Sequence, residues 1–159
     1  MLESKNIHIL GYSGHAYVVI DVALSNNYIV KGYFDKVEHQ KNPYDLIYYG
    51  FENEVDIKSL VKGDKVFPAI GSNVIRKKVV DLIENLDLSQ TVLIDSSASV
   101  SFKANIQESS LIAPNSIINS MVFVGKGTIV NSGAILEHEC KVGNFSHIAP
   151  GAVLAGNVK

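Results

Sequence analysis

The run Glu137-His138-Glu139-Cys140 carries the residue types of general-base chemistry. An imidazole beside a carboxylate is the usual arrangement, because the carboxylate orients the ring, fixes its tautomer and stabilises the imidazolium. Adjacency alone is equally the composition of an exposed polar turn, and both readings stand at this level. Of the other histidines, His147 lies in the same half of the chain and His15 ends the Gly-rich run Gly11-Tyr12-Ser13-Gly14-His15. His8 alternates with Ile7 and Ile9 as a strand residue without a catalytic part, and His39 falls in a polar, solvated loop. No metal site is expected, since His138 and His147 occupy different phases of the repeat described below and no third ligand matches them.

The elements around the Gly-rich run read as an α/β unit. Ile7-His8-Ile9-Leu10 is a short strand, and Ala16, Val19, Ile20, Ala23 and Leu24 recur at helical spacing up to Asn26-Asn27. A second strand, Ile29 to Phe34, ends at Asp35-Lys36. Residues 37–64 give only a turn at Asn42-Pro43 and a short strand within Leu46-Ile47-Tyr48-Tyr49. Val66 to Ile70 is a further strand, with Pro68 marking one edge as unpaired. Ser72-Asn73 can cap a helix whose apolar stripe is Val74, Ile75, Val79, Leu82 and Ile83. Strand, Gly-rich turn, helix and a strand ending in Asp is the skeleton of a mononucleotide-binding βαβ unit. Helix N-terminal N–H groups can hold a pyrophosphate, and Asp35 can accept from a ribose or a base. The spacing Gly-x-x-Gly-His is not Gly-x-Gly-x-x-Gly, so a tight structural turn remains an equal alternative, and NAD binding a further one.

The second half repeats. Steps of six from Ile94 give Val100, Ile106, Ile112, Ile118, Val124, Val130, Leu136, Val142, Ile148 and Leu154, all aliphatic. Four residues after each come Ala98, Ala104, Ser110, Ser116, Val122, Thr128, Ala134, Cys140, Ser146, Ala152 and Val158, all small or β-branched. Neither a helix nor a plain strand has a period of six; a hexapeptide parallel β-helix does, with one short strand and one turn per hexad and three hexads per coil. A β-sandwich would lose phase over so many repeats. Gly125, Gly127, Asn131, Gly133, Gly143, Asn144, Gly151 and Gly156 suit turns of unusual φ/ψ. Cys140 occupies the small inward slot and reads as packing rather than as a nucleophile. His138 and Glu139 take the outward third and fourth places of their hexad. The last coil leaves an open ladder edge, from which self-association is expected.

Composition agrees with two parts. Eight of the 30 charged residues lie in 91–159, which places a boundary near residue 90. A net charge of −2 offers no basic surplus for nucleic acid. The single Cys excludes an internal disulfide framework. Met1-Leu2-Glu3-Ser4-Lys5-Asn6 has no export signal, and no apolar run reaches the roughly 18 residues of a membrane span. A cytoplasmic protein is expected.

The chain resembles the bacterial left-handed β-helix sugar acyltransferases, which include sialic-acid O-acetyltransferases and UDP-4-amino-sugar N-acetyltransferases of glycan biosynthesis. The resemblance is carried by Gly11-Tyr12-Ser13-Gly14-His15, Phe34-Asp35, Ala69-Ile70-Gly71-Ser72-Asn73 with Arg76-Lys77-Lys78, Glu137-His138-Glu139-Cys140 with Val142-Gly143, and Ser146-His147 with Ala155-Gly156-Asn157. In these motifs it lies nearest the N-acetyltransferases of the UDP-N-acetylbacillosamine pathway. The resemblance implies a Rossmann-like nucleotide-sugar-binding domain over 1–90 and a partial left-handed parallel β-helix acyltransferase domain over 91–159, assembled as a homotrimer with active sites between subunits. It implies that Ser13, Gly14, His15, Asp35, Lys36 and Gly71 hold a UDP-sugar. His138 is then the general base with Glu139 as its partner, and His147 contacts acetyl-CoA, the co-substrate. The implied reaction is N-acetylation of a sugar 4-amine. O-acetylation of sialic acid and a non-catalytic nucleotide-sugar-binding form are the alternatives. Lys36 stands where relatives often carry a second acidic residue, which leaves base and sugar preference open. Relatives continue for further coils past Lys159, so the resemblance also implies a C-terminally truncated chain.

Overall fold

The computed structural model describes residues 5–159. Its contacts divide the chain into two compact units, Met1–Thr91 and Val92–Lys159. The first unit runs β1 (Asn6–Leu10), α1 (Gly14–Ser25), β2 (Ile29–Phe34), β3 (Ile47–Tyr48), α2 (Ile57–Val61), β4 (Lys65–Pro68) and α3 (Asn73–Asn85). Its four strands form one parallel sheet in the order β3-β2-β1-β4. β1 is central, with Ile7, Ile9 and Leu10 fully buried, as a strand covered on both faces requires. The chain leaves β1 toward β2 on one side and later returns to β4 on the other. That reversal puts a topological switch point at the carboxyl ends of β1 and β4, where open α/β sheets bind ligands. β4 is an edge strand, which accommodates Pro68 and its missing N–H.

One half of the first core joins Leu10, Phe34 and Val66 of the sheet to Val79 and Ile83 of α3 and to Ile57 and Val61 of α2. α2 lies in the stretch that carried no clear pattern; it is a single short turn capped by Asp56, whose carboxylate accepts from Ser59 N. The buried face of α3 differs from the expected stripe. Val74 and Ile75 are exposed (69% and 51%), whereas Arg76, Val79, Val80 and Ile83 are buried. An arginine in the stripe hides the true i, i+3, i+4, i+7 face from a reading of apolar residues. Ser72 is the N-cap, but its hydroxyl makes no capping bond.

The second unit is a coil of eleven two-residue strands: β5 (Leu93–Ile94), β6 (Ser99–Val100), β7 (Asn105–Ile106), β8 (Leu111–Ile112), β9 (Ile117–Ile118), β10 (Phe123–Val124), β11 (Ile129–Val130), β12 (Ile135–Leu136), β13 (Lys141–Val142), β14 (His147–Ile148) and β15 (Val153–Leu154). They stack into three parallel sheets, β13-β10-β7, β14-β11-β8-β5 and β15-β12-β9-β6. Leu93 faces Leu111 and Phe123 faces Lys141, so each strand pairs with the one three hexads on. The aliphatic residue of every hexad points inward, and Ile112, Ile118, Val124, Val130 and Leu136 are the dry centre.

The small slots add a second device. Ser110 Oγ donates to Gly125 O, Ser116 Oγ to Asn131 O and Thr128 Oγ1 to Gly143 O, at 2.9–3.1 Å. Each bond ties one corner to the coil above it. Cys140 Sγ makes the equivalent contact to Ala155 O at 3.1 Å and is fully buried. The left-handed turn residue falls three places after the aliphatic one. Gly127, Gly133 and Gly151 take it, but so do Ser109, Asn115, Met121, Glu139, Phe145 and Asn157. Gly125, Gly143, Gly156, Asn131 and Asn144 have no positive φ. Their use is therefore not backbone freedom.

Candidate active site

In the first unit the loop after β1 begins with Gly11. Its φ of +91° lies where side chains are strained, and a Cβ there would stand 2.6 Å from Ile70. Gly11 N donates to Phe34 O, and Ala69 N to Leu10 O, both at 2.8 Å. The loops after β1 and β4 are thus held side by side at the switch point. Ser13 is the N-cap of α1, and its side chain makes no capping bond. That leaves the first-turn N–H groups without a side-chain cap, the condition under which a helix start receives an anion.

Asp35, at the end of β2, braces this loop. Its Oδ2 accepts from Tyr12 N (2.8 Å), its Oδ1 from Lys36 N (2.7 Å), and His39 Nε2 lies 3.0 Å from Oδ2. His39 is therefore not a solvated loop residue. It sits edge-on to Tyr12 and Tyr33, and the two tyrosines stack at 4.0 Å. Ser13, Asp35 and Lys36 share a cleft of about 250 Å³ with Gly11, Tyr12, Glu52, Ile70 and Ile75. Gly71 and His15 lie together beside it: a Cβ on Gly71 would be 3.9 Å from that of His15. Gly14 is open, with nothing within 4 Å of a Cβ.

Arg76 was not singled out as a site residue, although it locks the second loop. Its guanidinium, 1% exposed, donates to Ile70 O, Gly71 O and Asn73 Oδ1 at 2.8–3.0 Å. Burial pulls it down to about 10. An arginine four residues inside a helix start gives no sequence signal of this fold-back contact.

In the second unit His138 Nδ1 lies 3.1 Å from Glu139 Oε2, and both side chains are well exposed. Glu139 reaches that position through its left-handed backbone, φ 61°. A carboxylate only accepts, so Nδ1 carries the proton and Nε2 holds the lone pair. Nε2 faces the space left by Gly156, where a Cβ would stand 2.5 Å away. Asn157 N donates to His138 O at 2.8 Å and fixes the local backbone. His147 is not paired with this couple. Its Nε2 lies 3.0 Å from Asn131 Nδ2, and the amide is oriented because Asn131 Oδ1 accepts from Ser132 N. Among the described residues no cluster of three or more His, Cys, Asp or Glu could hold a metal ion, and no helix is long and apolar enough to cross a membrane.

Residues 6–83 match the PglD N-terminal domain family. The acetyltransferase domain of PglB from Neisseria gonorrhoeae, solved with acetyl coenzyme A, is 26% identical, covering 97% of this chain and 75% of that one with a TM-score of 0.84. A histidine-to-asparagine mutant of perosamine N-acetyltransferase from Caulobacter crescentus, in complex with CoA and GDP-perosamine, is 25% identical, covering 99% and 73% with a TM-score of 0.86. A histidine-to-alanine mutant of the same enzyme with the same ligands gives 25%, 98% and 73%, and 0.88. Over residues 6–83 the chain carries a PglD-type N-terminal domain, and with its three-sided coil of parallel strands it is similar over nearly its whole length to bacterial left-handed β-helix sugar N-acetyltransferases.

Proposed function

We propose that this chain transfers the acetyl group of acetyl-CoA to an amino group, the 4-amine, of a nucleotide-linked sugar, with His138 as general base and Glu139 as its orienting partner. The observation that carries the reading is the His138–Glu139 couple, with its proton on Nδ1 and its lone pair directed at the Gly156 gap. Relatives that hold CoA together with GDP-perosamine support the two substrates.

A sugar amine must be unprotonated to attack a thioester, and it sheds a proton as the C–N bond forms. His138 Nε2 accepts that proton, and the carboxylate of Glu139 balances the charge that appears on the ring. Acetyl-CoA, when bound, supplies the activated acyl group. His147, held by Asn131, is the residue we propose to contact it, and the Gly143 and Gly156 positions leave the adjoining surface without side chains. The nucleotide is held by the first unit, with Ser13, Gly14, His15 and Gly71 around its phosphates and Asp35 and Lys36 beyond them. Cys140 is closed off in the coil, which fits direct transfer without an acyl-enzyme. We propose a homotrimer in the cytoplasm as the working assembly.

Release of CoA thiol on adding acetyl-CoA and a UDP-4-amino sugar tests the reaction. His138→Ala should lower turnover by about 10²–10⁴-fold while leaving nucleotide-sugar affinity unchanged. Full turnover in that variant, or thiol release with free sialic acid and none with the amino sugar, overturns the proposal. Sedimentation of the chain checks the trimer.

A further inference from the structure

The corner of the coil that bears His138 carries an exposed aromatic ring two coils earlier. Val100 pairs with Ile118, Ile118 with Leu136 and Leu136 with Leu154, all in register. Phe102, Ser120, His138 and Gly156, each two places after its aliphatic residue, therefore stand one above another on that corner. The turn bonds repeat with them: Glu139 N donates to Ser120 O at 3.0 Å and Asn157 N to His138 O at 2.8 Å. Rungs of a parallel ladder are about 4.8 Å apart, which sets the backbone of Phe102 about 10 Å below that of His138. Phe102 is 91% exposed, more than any other large apolar side chain among the described residues. Met121, in the adjoining column below Glu139, is 62% exposed. Lys103 stands at the foot of the strip, with Nζ 5.4 Å from the centre of the Phe102 ring. A lone exposed apolar side chain needs no explanation, but two in register beneath an exposed base form a directed patch, and such patches mark binding surfaces.

We propose that this strip is the acceptor track of the coil and that Phe102 is its positioning residue, packing against the sugar of the nucleotide-linked substrate. The inference rests on the reading that His138 deprotonates the amine of such a sugar. Direct transfer requires two substrates to meet at Nε2 from different sides. The later-coil side, at Ala155 and Gly156, carries almost no side chain and is the side assigned above to acetyl-CoA. The earlier-coil side, with Ser120, Met121 and Phe102, is then left for the acceptor. A pyranose with a phosphate on its anomeric carbon spans more than one rung of the ladder and less than two. With its amine at His138 it crosses the small, exposed Ser120, and its anomeric end comes down toward Phe102. The phosphate then falls within reach of the Lys103 ammonium. The C–H face of a sugar ring is apolar and suits an aromatic wall, while its hydroxyls project from the rim. Mostly apolar walls with a few placed polar groups are the common composition of small-molecule sites. Phe102 touches no reacting atom; it holds the amine in line with Nε2.

Thiol-release kinetics and fluorescence test this together. Covering one face of a phenyl ring is worth about tenfold in binding. Phe102→Ala should therefore raise KM for a UDP-4-amino sugar about tenfold, with kcat within about twofold and KM for acetyl-CoA and the affinity for UDP alone unchanged. Phe102→Tyr, which keeps the ring, should restore the KM. The sequence contains no tryptophan, so Phe102→Trp supplies a single reporter at an exposed site. Its emission should be that of a solvated indole in the free protein and should change on adding the UDP-4-amino sugar but not UDP. An unchanged KM in Phe102→Ala, a rise in KM for acetyl-CoA instead, or an equal loss of UDP affinity overturns the assignment. Blue-shifted emission before any ligand is added also overturns it, because another copy of the chain then covers the ring. Absence of thiol release from the unaltered chain overturns the reading of the reaction, and the fluorescence titration still decides whether the sugar meets Phe102.

Discussion

Gly156→Ala offers a narrow test of the proposed base, because the three atoms nearest the added methyl all belong to the His138 ring. The new Cβ would stand 2.5 Å from Nε2, 2.6 Å from Cε1 and 3.2 Å from Cδ2, against an ordinary contact of 3.4–4 Å. The backbone of Gly156 has no positive φ, so alanine brings no conformational strain. The His138 side chain is exposed and can yield, so relief comes from the ring retreating by about 1 Å and not from the coil opening. A displacement of that size in a reacting group costs roughly 10²-fold in rate. That corresponds to about 2.7 kcal/mol of transition-state stabilisation. Steady-state thiol release should therefore show kcat down about 100-fold, with KM for the nucleotide sugar within about threefold and thermal stability unchanged. In the His138→Ala background the same substitution should cost nothing further, since the group it displaces is gone. Wild-type kcat in Gly156→Ala, or losses that multiply in the double variant, would refute the placement of Nε2 at the reacting amine.

Three further outcomes follow from the structure. Asp35→Ala removes the acceptor for Tyr12 N and Lys36 N and the partner of His39; it should destabilise the first unit by about 1–3 kcal/mol and raise KM for the nucleotide sugar, read by urea unfolding and kinetics, with little change in kcat at saturation. Cys140→Ser places a hydroxyl where Ser110, Ser116 and Thr128 already donate to the next coil; activity and melting temperature should be retained, and loss of turnover would return the thiol to the mechanism. His8 is buried beside Asp64, and burial holds its ring below the ordinary 6.5 although Asp64 opposes the shift. The unfolded chain therefore binds that proton more readily, so stability is complete above about pH 6.5 and declines as pH falls below it, by up to about 1.4 kcal/mol per pH unit. Urea midpoints across that range should show the decline, and His8→Gln should flatten it.

The coil was legible because its information is local and repeated. Ile94 through Leu154 keep one phase, and each hexad specifies its own strand and turn before any partner is considered. The βαβ beginning was legible from Leu10, Gly11 and the helical spacing after Ser13 for the same reason. The buried face of α3 was not, because Arg76 is apolar in neither type nor appearance and is buried only through carbonyls supplied by the loop after β4. His39 came from a stretch without periodicity, where spacing carries no signal. The glycines of the coil were read as turn residues, yet Gly156 is explained by the ring of His138 one coil away.

What the residues determined by themselves was repetition and neighbourhood: a sixfold phase, a Gly-rich turn between strand and helix, and an imidazole next to a carboxylate. Such features depend on separations of a few residues along the chain, and backbone geometry converts them directly into strands, turns and adjacent side chains. Only the tertiary structure decided which atom of His138 keeps its lone pair exposed over Gly156 and which loop Asp35 and Arg76 brace. Those depend on residues far apart in sequence that packing brings within a few ångströms, and no pattern along the chain encodes a distance of that kind.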